Sequence, residues 1–497
     1  MPRSAAVAAP VRWAAALALA LAGVLWLGPR PLLADADGGE AQALAAIDEI
    51  LQDPDLPSAI WGLVVQDART GRVVLRRNAD KILLPASNLK LYTTAVALDR
   101  LGPTFRYTTR LYHFGEVTAG GVLTGDLVIR GSGDPTFGSE GHGDPLEAWA
   151  EALAAAGVRE VRGRIIGDDD VFEDARYAEG WDVTHVATEA YAPAAGGLAW
   201  NDNLVTIQIR GGAPGQPATV EADPPGLVTV RGDARTRAGG GRLDVERTLG
   251  TDEFTVHGGV PASYRGALRV PVANPTLYAV HAFASRLADA GVDVSRAERV
   301  DVDDIADEPD YEGARPLRAH VSPPLAEIAE RINRESDNLY AEQVFRTFGG
   351  GSVERAAELV EAFVEEAGAD PDGLSIADGS GLSRKDMVTP ASLAAVLLEM
   401  RGHPAGRAFL ASLPEGGGAG STLRNRLGSV PVRAKTGSLL AVRCLAGYVD
   451  GPDGTPYVFV LFANNYTTRG GRIADAQDAI VRAIATGGRV PADEEGS

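Results

Sequence analysis

Three short polar motifs lie far apart in this chain, and each carries chemistry only if the fold brings it to the other two. They are Ser87-Asn88-Leu89-Lys90, Ser336-Asp337-Asn338 and Lys435-Thr436-Gly437. A chain that joins them must bring Ser87 to Ser336, 249 positions further on, and both to Lys435. The lysines sharpen the point. There are four, Lys81, Lys90, Lys385 and Lys435, among basic residues that are otherwise arginine, and two of the four fall in the motifs. An ammonium can lose its proton in a protein site, whereas a guanidinium cannot.

Ser87 and Lys90 stand three apart, which on a helix places them on one side, within mutual reach. A serine hydroxyl attacks poorly until a neighbouring base takes its proton, and Lys90 serves only if burial or a second cation lowers its pKa. Ser336 and Asn338 suit a loop lining a cleft, with a hydroxyl to relay a proton and an amide to hold a substrate carbonyl and the lysine. Lys435 offers a fixed cation, Thr436 a hydroxyl for a carboxylate, and Gly437 room for a substrate backbone beside a strand. Taken alone, each motif also reads as ordinary structure: an N-cap serine with a surface lysine, a helix cap, an edge-strand turn.

Local patterning supplies the frame. Apolar spacing predicts a helix over 40–53, and AIWGLVVQ (59–66) and RVVLR (72–76) read as a hairpin about the turn DARTG. Pro85 precedes a helical stretch that ends at Gly102, so Ser87 is expected at or near its N-terminus. From 105 to 316 short β-rich runs alternate with Gly/Pro turns. Helices are expected again at 324–347, 352–367, 391–401 and 472–486, and strands at 432–438, 443–450 and 456–464. The fold class is therefore α/β (α+β): a mostly antiparallel sheet with helices on both faces, carrying one or two inserted β-rich modules. The segments expected to form the main domain are 37–104 and 317–487, with the insert at 105–316.

Bulk properties exclude several roles. The formal net charge of -20 repels phosphate backbones, so no nucleic-acid partner is expected. Cys444 is the one cysteine and no His-x-x-x-His pair occurs, so neither a disulfide nor a zinc site is expected, and the reading carries no metal and no cofactor. Arg3 and Arg12, the apolar run Trp13–Leu27 and Ala34-Asp35-Ala36 read as an export signal over 1–36, with an uncleaved anchor as the alternative. No integral membrane segment is expected once it is removed, and no cysteine follows it to take a lipid. The end, 488–497, is expected to be a disordered tail.

The motif set Ser-x-x-Lys, Ser-Asp-Asn, Lys-Thr-Gly, in that order, belongs to penicillin-binding proteins and class A β-lactamases. The chain resembles the class C penicillin-binding proteins, the D-Ala-D-Ala carboxypeptidase/endopeptidases of the dacB type. The similarity runs from about 40 to 487, through PASNLKLYTTAVALDRLG around Ser87, GDLVIRGSGDPTF (125–137), GLAWNDNLVTIQI (197–209), DGSGLSRKDMVTP (378–390) and AKTGSLLAVRCLAGYV (434–449). It implies a transpeptidase/β-lactamase-like domain and an exported enzyme of the periplasm or cell-wall space. The implied partners are peptidoglycan stem peptides and β-lactam inhibitors. The implied roles are Ser87 as acylated nucleophile, Lys90 as base, Ser336 with Lys435 as proton relay, and Asn338 as catalytic amide. Thr436, Gly437 and Ser438 would bind substrate, with the N–H groups of Ser87 and Ser438 as oxyanion hole. Which lysine is the base stays open. Asp168, in Asp168-Asp169-Asp170, is a candidate partner for the free amine of a diaminopimelate stem; a solvated acidic turn is the other reading. No Glu-x-x-Leu-Asn segment follows the second motif, Asn425 being the one asparagine between 339 and 434, so fast β-lactam hydrolysis is not expected. A β-lactamase or esterase of the same fold, a transpeptidase, and a non-catalytic wall-binding protein are the competing readings.

Overall fold

The computed structural model describes residues 38–54, 56 and 59–489. The expected export signal and nearly all of the expected tail lie outside the described residues. A five-stranded sheet is assembled from both ends of the chain, in the order Val432–Leu439, Val442–Asp450, Pro456–Asn464, Ile60–Asp67, Val73–Arg77. Every neighbour in it is antiparallel, and Ile60 pairs with Asn464 at one end of the central register and Asp67 with Tyr457 at the other. The middle strand shows why helices cover both faces. Its side chains are apolar at successive positions, and strand geometry sends them alternately to opposite sides. Val458, Val460 and Phe462 enter one core, with the helices Leu89–Arg100, Asn338–Phe348 and Pro390–Gly402. Tyr457, Phe459, Leu461 and Ala463 enter the other, with the outer helices Gly38–Leu51 and Gly470–Thr486.

The predicted helix 324–347 is two helices, Leu325–Arg334 and Asn338–Phe348. The break falls on the second motif: Ser336 takes φ 64°, outside the helical region, and the Asp337 carboxylate caps the next helix by accepting from the Tyr340 N–H.

The stretch between the first two motifs holds a mixed six-stranded sheet with its own core. Strand Arg318–Val321 pairs with Thr108–Leu111, so this sheet reaches past residue 316. It also contains two helices that the β-rich reading omitted, Pro145–Ala155 and Pro275–Asp289. Both start with a proline in the first turn behind a side-chain cap, Asp144 and Asn274. That is a legible helix start, masked here by the strands around it. No helix among the described residues is long and apolar enough to cross a membrane.

Candidate active site

Ser87 lies on a single 3-10 turn, Ala86–Asn88, that runs directly into helix Leu89–Arg100. Ala86 is buried and held at φ 47°, a conformation that costs a non-glycine residue energy and persists only where its surroundings impose it. Two glycines are part of that imposition. A side chain on Gly381 would meet the Ala86 carbonyl oxygen at 1.9 Å, and one on Gly437 would meet the Pro85 carbonyl oxygen at 2.8 Å and the Asn88 nitrogen at 3.2 Å. The expectation for Gly437 is thus corrected: the space it leaves is filled by the turn that carries Ser87, because that turn packs directly against the third-motif strand. The Asn88 amide ties the two together by donating to the Lys435 carbonyl at 2.8 Å. Gly437→Ala is expected to destabilise the protein by about 1–3 kcal/mol and, by shifting the turn, to slow acylation at least about ten-fold. Thermal unfolding and the benzylpenicillin acylation rate measure the two effects.

The lysines sit beneath the serine, fully buried. Lys90 Nζ donates to Ser87 Oγ at 3.2 Å, to Asn338 Oδ1 at 2.6 Å and to the Ser380 carbonyl at 2.6 Å. Lys435 Nζ donates to Ser336 Oγ and to the Thr436 carbonyl, both at 2.8 Å. Burial pushes Lys90 down to about 8, against the opposing pull of Asp378, Glu342, Asp337 and Asp386. Burial, and then the charge of Lys90, hold Lys435 well below its ordinary value. Each serine of the first two motifs therefore has its own lysine.

Behind Lys90 is an acidic loop. Asp378 accepts the backbone N–H groups of Ser380, Gly381 and Ser383, at 3.0, 2.6 and 2.7 Å. It also accepts Trp181 Nε1 from the inserted region at 2.8 Å. The loop it shapes carries the Ser380 carbonyl that holds Lys90. Two further acids lie close by, both fully buried. Burial, reinforced by Asp378, raises Glu342 to about 7 and Asp386 well above the carboxylate range.

Above the serine opens a cleft of about 740 Å3, with Ser87, Ser336, Asn338, Thr436 and Ser438 on its surface. Arg424 and Arg443 stand in its wall, and His185 and Tyr191 reach it from the insert. The Tyr191 carbonyl accepts the Asn338 amide at 2.7 Å, so this nitrogen, expected to face substrate, is held by the insert instead. Asp168 is not brought to the cleft. It is 4 % exposed, accepts the Tyr311 hydroxyl and lies 3.6 Å from Arg130 Nε. Asp169 is buried as well, at 7 % exposed, so of the acidic triplet only Asp170 is exposed to solvent. Trp181, Tyr191 and His185 had no local signal for a place at the site, and Asp378 had only the resemblance of its segment 378–390; the contacts that place Trp181 and Tyr191 span 197 and 147 residues.

A buried lysine in contact with one serine hydroxyl, beside a second buried lysine in contact with another, is an arrangement suited to serine acyl transfer. The family model described as the D-Ala-D-Ala carboxypeptidase 3 (S13) family matches residues 43–486. The chain belongs to that family and is a serine-type D-Ala-D-Ala carboxypeptidase. It is 34% identical over 467 residues to a D-alanyl-D-alanine carboxypeptidase of Actinomadura sp. (strain R39), covering 89% of this chain and 85% of that one. It is 25% identical to the D-alanyl-D-alanine carboxypeptidase DacB of Haemophilus influenzae, over 82% of this chain and 86% of the relative. The crystal structure of penicillin-binding protein 4 (dacB) from Haemophilus influenzae has the same fold, with TM-score 0.76 at 22% identity, over 88% of this chain and 99% of that one. The expected fold class is what these likenesses show.

Proposed function

We propose that this carboxypeptidase removes the terminal D-Ala of peptidoglycan stem peptides through an acyl-enzyme on Ser87, outside the cytoplasm, and that penicillin acylates the same oxygen. The observation that carries the reading is the contact of Lys90 Nζ with Ser87 Oγ at 3.2 Å, made by an amine whose pKa is about 8. Lys90 in its free-base form takes the hydroxyl proton as Ser87 Oγ bonds to the penultimate D-Ala carbonyl carbon. When the carbon–nitrogen bond breaks, the departing amine collects a proton through Ser336, which Lys435 holds at 2.8 Å. The proton that Lys90 took replaces the one given up through Ser336; water then attacks the ester with Lys90 again as base, and Lys90 hands the water's proton to Ser87 Oγ as the shortened peptide leaves. The C-terminal carboxylate of the substrate fits the Thr436 and Ser438 hydroxyls, with Arg424 and Arg443 in the same wall supplying positive charge that the chain as a whole lacks. Asp168 has no part in this proposal.

Incubation with benzylpenicillin followed by peptide mass spectrometry tests the reading. The expected product is one opened β-lactam on the peptide containing Ser87, together with release of D-Ala from a D-Ala-D-Ala peptide by unmodified enzyme. An adduct on another residue, or none with no D-Ala released, would overturn it.

A further inference from the structure

Outside the lining of the cleft, two neighbouring parallel strands of the inserted sheet end in aspartates. Arg164–Asp168 leads into Asp169, and Glu298–Asp301, paired with it Asp301 to Gly167, leads into Asp303. Asp169, Asp301 and Asp303 each bring a carboxylate oxygen within 4.8 Å of the others. Asp169 and Asp301 are 7 % and 2 % exposed, and Oδ1 of each is buried with no hydrogen-bond partner. Their second oxygens are engaged: Asp169 Oδ2 accepts the Thr276 hydroxyl, and Asp301 Oδ2 accepts Arg176 Nη2 at 3.2 Å and Asn274 Nδ2 at 2.8 Å.

The charges do not balance. Arg176 and the N-terminus of helix Pro275–Asp289, capped by Asn274, together supply roughly +1.5 against three carboxylates. Two more acids, Asp170 and Asp174, add to the deficit: the charge of Asp174 acts on Asp170 and Asp303, and that of Asp303 on Asp170. An uncompensated buried carboxylate is costly and is normally relieved by a proton, a partner or a metal.

We propose that Asp169, Asp301 and Asp303 form a calcium-binding site in the inserted region. The ligands are all hard oxygens, which suits calcium or magnesium rather than zinc. The absence of His and Cys clusters, which removed zinc from the reading of the sequence, does not bear on such a site. The donor set favours calcium: magnesium demands a near-ideal octahedron and usually takes one or two carboxylates, whereas three carboxylates, two of them already tied to Thr276, Arg176 and Asn274, make an irregular oxygen set that calcium accepts. The exposed side of Asp303 leaves room for water to complete the shell. The ion would clamp the strand ends at the root of the segment that runs from Asp170 to Trp181, whose indole holds Asp378.

Calorimetric titration of the EDTA-stripped full chain with CaCl2 tests the site. One equivalent should bind, at least about ten-fold tighter than MgCl2, and saturation should raise Tm by about 2–5 °C. Asp303→Asn, at an exposed position, should fold and weaken calcium binding at least about ten-fold; Asp301→Asn should do so more strongly if it folds. Acylation of Ser87 by benzylpenicillin verifies folding in both. Absence of binding to the wild type, unaltered affinity in Asp303→Asn, or a preference for magnesium would each overturn the proposal.

Discussion

Lys90→Ala should cost nearly as much acylation as Ser87→Ala, and the double variant should be no slower than either. General base catalysis is worth about 10²–10⁴ in rate, and groups that act as a unit lose their effect together instead of adding. The mutation also removes three hydrogen bonds from the site, those to Ser87, Asn338 and the Ser380 carbonyl. In the wild type the acylation rate should depend on pH through this amine. The working form is the free base and the pKa is about 8, so the rate should rise about ten-fold per pH unit below 8 and level off above it. Stopped-flow acylation by benzylpenicillin from pH 6 to pH 10 reads both effects. A flat profile, or a Lys90→Ala enzyme that acylates normally, would move the role of base to Lys435.

The second large effect is expected at a residue that touches no substrate. Asp378→Asn places an NH2 group where Ser383 N–H and Trp181 Nε1 now donate, or, flipped, where Ser380 and Gly381 do. Hydrogen bonds to a buried charge are worth about 1.5–3 kcal/mol each, and orphaned donors add their own cost. A loss of about 3–5 kcal/mol of stability is expected, visible in denaturant unfolding. The acylation plateau should fall by about 10² as the Ser380 carbonyl shifts away from Lys90. A structural lesion alone would stop there. Asp378 is also the strongest charge holding the pKa of Lys90 up against burial. Its neutralisation should therefore move the midpoint of the pH profile below 8. A lowered plateau with an unmoved midpoint would show that Asp378 acts on the loop and not on the lysine.

Much of the main domain was legible because its signals are local. The run at 456–464 and the hairpin at 59–76 announce strands by their apolar residues, and Pro85 and Pro390 announce helix starts. The site was legible for a different reason: Ser87, Lys90, Ser336, Asn338 and Lys435 are improbable together, and the structure places them around one serine. What the sequence hid is whatever depends on a partner far along the chain. Gly437 faces Pro85, not substrate. Asn338 gives its amide to Tyr191. Asp168, which looked exposed because of its acidic neighbours, is covered by Tyr311. Helix 275–289 was lost because strands surround it, and the kink at Ser336 because apolar periodicity carries on across it.

The central pairing of the sheet, Ile60 with Asn464, bears on the order in which the protein is made. The strand Ile60–Asp67 and the nucleophile turn emerge from the ribosome early, but the partner that covers them comes almost last. Until then the strand keeps an open hydrogen-bonding edge and an unburied apolar face, the combination that invites aggregation. Contacts this distant in sequence also close slowly. The inserted region, with a core of its own, has the means to fold while the domain around it waits. Competence to acylate should thus be the final event in folding, appearing only once the last strands have docked.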